Sequence, residues 1–168
     1  FYLVVIGQII SLFGNAVIRF ALPLHLLSVT GSAALLGVVS GVAFLPLVVM
    51  SPIGGLIADR MNKRNIMVVL DFFTAGLVLL FLVLSGRGSL VSLILIMLFL
   101  LYGISGAYQP SVQASIPLLV SEEAVMPANA IINMVSSLSG LLGPALGGIA
   151  YGLWGITPIL LSLIHISE

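Results

Sequence analysis

The chain has 168 residues, 61% of them hydrophobic and only 6% charged, with a formal net charge of zero. A soluble domain carries about 25% charged residues, so this composition excludes a water-facing exterior, and the class that remains is an integral membrane bundle. The absence of cysteine excludes disulfides and thiolate metal sites, and the balanced charge gives no reason to expect a nucleic-acid partner.

The few charges divide the chain. No Asp, Glu, Lys or Arg lies between Arg19 and Asp59, between Arg87 and Glu122, or between Glu123 and Glu168. A helix needs roughly 20 apolar residues to cross the hydrocarbon core, so turn signals must cut these runs. Thr30, Gly31 and Ser32 cut the first, predicting helix one over about 3–28 and helix two over about 33–57. The most polar segment, Asp59 to Arg64, is expected as an aqueous loop. Helix three follows over about 65–85, closed by the Gly86–Ser89 turn, and helix four over about 90–117. Ser121 reads as an N-cap before the acidic Glu122 and Glu123, and Pro127 as a first-turn residue of helix five, over about 128–155.

Five helices on short loops make an up-down bundle. The loops after helices two and four share one side and carry Arg60, Lys63 and Arg64; the opposite loops carry only Arg87. The positive-inside rule then puts the basic loop and the N-terminus in the cytoplasm. Leu161 to Glu168 resemble a one-frame translation of a transposase adapter used in sequencing libraries. They are expected to be a non-native read-through tail, outside fold reasoning. The alternative is a natural sixth helix after Pro158.

Two polar stripes follow helical spacing. Gln8, Ser11, Asn15 and Arg19 share one face of helix one, and Tyr102, Ser105, Gln109 and Gln113 share one face of helix four. Polar groups are expensive against lipid, so both stripes should face the bundle interior, either lining a central path or bonding helices together. At ~1.5 Å per residue, Arg19 lies ~24 Å and Asp71 ~9 Å from the same membrane side, too different in depth to pair. Arg19 therefore needs an acidic residue from elsewhere, water or an anionic substrate, unless it snorkels outward. Asp71 either serves the basic loop near Arg60 or Arg64 or takes a proton. His25 is expected at the outer interface, and Tyr151 and Trp154 as aromatic-belt anchors. With only His25 and His165, no convergent catalytic set or metal cluster can be assembled, so neither an enzyme nor a cofactor is expected.

Gly55, Asp59, Arg60, Lys63 and Arg64 resemble the signature between helices two and three of the major facilitator superfamily, with Asn62 where Gly often stands. Gly54 and Gly55 would let a neighbouring helix approach closely, and the basic residues would meet anionic headgroups. Ser139, Gly143, Pro144, Gly147 and Gly148 resemble that family's antiporter motif, with Ser139 replacing its first Gly. Gly143, Gly147, Gly148 and Gly152 would form a groove for another helix. Between Gly7 and Trp154 the chain is also similar to the branch containing macrolide-efflux and enterobactin-export proteins. The matching residues are Gly7, Gln8, Ser11, Gly14, Asn15, Thr30 to Ala33, Pro46, Tyr108, Gln109, Pro110 and Gln113.

The resemblance implies an all-α integral membrane fold: five transmembrane helices of a truncated six-helix N-terminal half of a twelve-helix transporter. The first motif would latch the two halves, and the second would mark an exporter exchanging substrate for protons. Gln8, Asn15, Arg19, Asp71, Tyr102, Gln109 and Gln113 would line the substrate or ion path. Partners would be a small amphipathic molecule, the lipid bilayer and the missing C-terminal half, in a bacterial inner membrane. An importer of the same fold and a non-transporting membrane subunit are the alternatives. One departure matters: helix four lacks the membrane-embedded Arg of many proton-coupled drug exporters, so coupling through that residue is not supported.

Overall fold

In the computed structural model, which describes residues 2–167, six helices follow one another: α1 (Tyr2–Thr30), α2 (Ala33–Arg60), α3 (Lys63–Leu84), α4 (Leu90–Leu119), α5 (Glu122–Trp154) and α6 (Ile156–Ser167). The first five are long and apolar enough to cross a membrane. In lipid each backbone N–H and C=O must be satisfied within the protein, which helices achieve within one segment. All eight prolines lie inside helices, a placement that lipid-buried helices tolerate because neighbouring groups re-satisfy the freed carbonyls.

The ends have local causes. Gly31 at φ +66° terminates α1, its N–H donating to Leu27 O at 2.8 Å, and Thr30 Oγ1 donates to Leu26 O. Only glycine adopts that backbone readily. Ser32 Oγ then accepts from Leu35 N–H and caps α2. Asp59 and Arg60 form the last turn of α2, and only Met61 and Asn62 lie between helices. The expected six-residue loop is thus a two-residue break. Arg60 suits the negative end of the α2 dipole, and Asn62 Oδ1 caps α3 by accepting from Arg64 N–H at 3.1 Å. Ser121 sits at the α5 N-cap position but its side chain makes no capping bond. Helix α5 starts at Glu122, so Pro127 lies beyond its first turn rather than within it.

Gly155, at φ +75° and ψ −172°, breaks the chain into α6, a 12-residue helix of about 18 Å. The expectation for residues 161–168 falls on this helix. Leu160 is fully buried, Leu161 is exposed, and Ile164 packs against the same cluster as Leu160. Residue 168 lies outside the described residues.

Helix α2 packs most extensively on α4, and α1 on α5. The N-terminus, the α2–α3 break and the α4–α5 connection share one end of the bundle, because Val5, Met67, Val120 and Val125 all pack on one apolar cluster of Val112, Ile116, Ala128 and Ile132. A larger cluster lies toward the other end around Ile18, Leu22, Leu26, Val78, Phe81, Ile94, Leu98 and Leu160. Of the polar stripes, Gln8 to Asn15 of α1 and Ser105 to Gln109 of α4 fall between the two clusters. Many large apolar side chains face outward, Val48 and Phe72 among them, as surfaces in contact with lipid or with further helices do.

Candidate functional site: cavities around Arg19 between two apolar clusters

Glycines bring the backbones together. A Cβ on Gly54 would lie 2.5 Å from Ala107 Cα, and one on Gly106 would lie 2.9 Å from Leu47 O and 3.1 Å from Ser51 N. Helices α2 and α4 therefore touch backbone to backbone. On the other side, a Cβ on Gly143 would collide with Ala16, and one on Gly147 would meet Val17 O at 3.1 Å. The Gly-Pro segment of α5 is thus the seat of α1. Gly55 and Gly152 have open space where a Cβ would go, so no close helix approach falls on them among the described residues.

With these pairs fixed, the α1 stripe meets the α4 stripe. Arg19 Nη2 donates to Ser105 Oγ at 2.7 Å, and the guanidinium lies 5.0 Å from the centroid of Tyr102, within cation–π range. Phe44 of α2 leans on the same ring, centroids 4.7 Å apart. Arg19 Nε is buried without a hydrogen-bond partner. Nearer the Asn62 end, Gln8 Nε2 donates to the Tyr108 hydroxyl at 3.0 Å. That hydroxyl donates to Asp71 Oδ2 over a longer 3.4 Å, joining α1, α4 and α3 in one chain of contacts.

These groups surround three cavities, all touching Arg19. The largest, about 460 Å³, lies among α1, α2, α4 and α5 and is lined by Arg19, Phe20, Phe44, Tyr102, Gln109 and Ser139, among others. A second, about 290 Å³, runs toward Pro23 and Ser40. A third, about 210 Å³, includes Ser11, Asn15, Arg19, Asp71, Thr74, Ser105, Tyr108 and Gln109. Arg19 and Asp71 thus open onto one cavity although no ion pair joins them among the described residues.

The path residues named from sequence are placed as follows. Asn15, Arg19, Asp71, Tyr102 and Gln109 line cavities; Gln8 is buried behind Tyr108. Gln113 is exposed and lines none of the three cavities, because the stripe rotates outward one turn beyond Gln109. Asp71 faces Tyr108 rather than Arg60 or Arg64. His25 Nδ1 shares a hydrogen bond with the Tyr151 hydroxyl at 2.9 Å, and Ser28 Oγ reaches that hydroxyl at 2.6 Å. Tyr151 therefore ties α5 to α1 instead of standing free as a belt residue, while Trp154 is exposed. Tyr108, the hub of the Gln8–Asp71 contact, was not singled out as a path residue. Its signal was faint: it flanks the α4 stripe, three residues after Ser105. Asp59, Arg60 and Arg64 are exposed at the α2–α3 break and Lys63 is half-buried.

The model of the Major Facilitator Superfamily matches residues 4–166. The chain is 29% identical over 161 residues to macrolide efflux protein A of Streptococcus pyogenes, an alignment covering 95% of this chain and 40% of that protein. It is 28% identical over 131 residues to macrolide efflux protein A of Enterococcus faecalis, covering 77% of this chain and 40% of that one. A protein of Citrobacter koseri named for multidrug resistance, MdtD, is 30% identical over 162 residues, covering 91% of this chain and 32% of its own length. The chain thus spans about two fifths of the macrolide-efflux relatives. No solved structure matches it. With five apolar spans and a family match across nearly its whole length, this chain is a multi-pass membrane protein and belongs to the Major Facilitator Superfamily.

Proposed function

We propose that the chain is the N-terminal part of a secondary active transporter that exports a small amphipathic compound by alternating access, coupled to protons. The carrying observation is the partly open 460 Å³ cavity, lined by both aromatic and polar side chains, at the level of the bundle between the two apolar clusters. A site at mid-depth between closable ends is what alternating access requires, and an apolar wall with few convergent polar groups suits an amphipathic ligand. The relatives named for macrolide efflux and multidrug resistance support the outward direction. Gly143, Pro144, Gly147 and Gly148 would let α1 pivot on α5. Asp59, Arg60, Lys63 and Arg64, with Gly55, would latch this part to the remainder of the transporter. Asp71, bonded only through the long Tyr108 contact, is the candidate proton carrier. The basic break would face the cytoplasm of a bacterial inner membrane, with the N-terminus beside it.

The test uses the full-length transporter in inverted membrane vesicles from an efflux-deficient bacterium. Imposing an acid-inside pH gradient should drive accumulation of radiolabelled erythromycin beyond that in vesicles without the transporter, and an uncoupler should abolish the excess. Gradient-driven uptake into intact cells would instead establish the importer, and no movement in either direction would point to a non-transporting subunit.

A further inference from the structure

Arg19 holds a full charge in the middle of the bundle with too few partners. A guanidinium has five N–H donors. Here, among the described residues, one Nη donates to Ser105 Oγ, the face rests on Tyr102, and Nε is buried with no acceptor. Ser105 and Tyr102 supply dipoles but no counter-charge. The one carboxylate nearby, Asp71, opens onto the smallest cavity and accepts from Tyr108. In the largest cavity Arg19 is the only charged side chain of the lining, which also holds Phe20, Phe44 and Tyr102. A buried cation is tolerated when an anion and a complete set of acceptors meet it, and guanidinium binds carboxylates in a two-pronged geometry.

We infer that Arg19 is the anchor for an anionic group, so that the large cavity takes an amphipathic ligand carrying a carboxylate beside an aromatic or aliphatic body. This deepens the exporter reading and rests on it for the ligand's being cargo. The carboxylate supplies the missing charge and, once the guanidinium turns toward it, the missing acceptor. The aromatic side chains of the lining take the ligand's body.

The experiment measures binding to the full-length transporter in nanodiscs, with empty nanodiscs subtracted, using fluorescent 2-naphthylacetate and its uncharged analogue 2-naphthylacetamide. The carboxylate should bind about 10-fold or more tighter than the amide, as expected for a charge-assisted, partly desolvated pair. Arg19→Gln should bring the two probes to equal affinity, and Arg19→Lys should keep part of the preference, retaining charge without the planar fork. Equal binding of both probes by the unmodified protein overturns the inference, since the charge is then met by another part of the transporter. That comparison needs no variant and decides the matter even if Arg19→Gln does not accumulate. A preference that survives Arg19→Gln also overturns it. Erythromycin export without any probe preference sinks this inference and leaves the exporter reading standing. A preference abolished by Arg19→Gln without export upholds the anion site and sinks the exporter reading.

Discussion

At the scale of single residues, the hydroxyl of Tyr108 is the most informative atom in the bundle. It accepts from Gln8 and donates to Asp71, so three helices depend on one oxygen. Interhelical hydrogen bonds within membranes average about 0.6 kcal/mol. Tyr108→Phe keeps the ring and removes both contacts, so it should destabilise the full-length protein by about 1 kcal/mol. A thermal unfolding series in detergent should show a lower midpoint with unchanged helicity by circular dichroism. An unchanged midpoint would mean that Gln8 and Asp71 find other partners. Asn62 shows a different residue-scale effect: a departure from the family's usual glycine serves as the N-cap of α3, so the substitution costs no local structure.

At the scale of elements, two close helix pairs organise the bundle, and their glycines are not equivalent. Gly106 faces Leu47 O and Ser51 N of α2 at contact distance, whereas Gly55 faces open space. Gly106→Leu should force α2 from α4 and cost roughly 1–3 kcal/mol or more, the usual range for overpacking. Gly37→Ala, also on α2 with nothing within 4 Å of the added Cβ, should leave assembly intact and add up to about 1 kcal/mol of helix propensity. Monodispersity on size-exclusion chromatography and thermal midpoints of the two variants would check this. Equal damage from both would contradict the packing described. The Gly143 and Gly147 seat for α1 was legible as a run of small residues in sequence. The Gly54–Gly106 contact was legible only by half, since Gly54 directly precedes a recognisable motif and Gly106 stands in none.

At the scale of the molecule, parts of both polar stripes lie between apolar clusters, and the charges at the two ends differ. Arg60, Lys63 and Arg64 stand at one end, Arg87 at the other. Because the chain lacks cysteine, sidedness can be read directly. In a cysteine-free full-length protein, Arg87→Cys should react with a membrane-impermeant maleimide in intact cells. Asn62→Cys should react only after the membrane is opened. The reverse pattern would invert the orientation and, with it, the direction assigned to export.

The membrane class, the helix count up to Trp154 and the motif positions were determined by the sequence itself. Apolar length and the rarity of charge leave a chain few ways to satisfy its backbone in lipid, so local information suffices. The rise per residue argued against an ion pair between Arg19 and Asp71; none joins them among the described residues, although both open onto one cavity. What only the tertiary structure decided is which faces meet. The spacing of Tyr102, Ser105, Gln109 and Gln113 defines a stripe, but not where it turns outward. Gln113 leaves the interior, Tyr108 enters it, and Asp71 faces Tyr108 rather than the basic residues of the break. The reason is physical: helical period orders side chains around one axis, while the rotation of each helix about that axis is set by close contacts such as Gly54 with Ala107 and Gly143 with Ala16, which lie far apart in the chain.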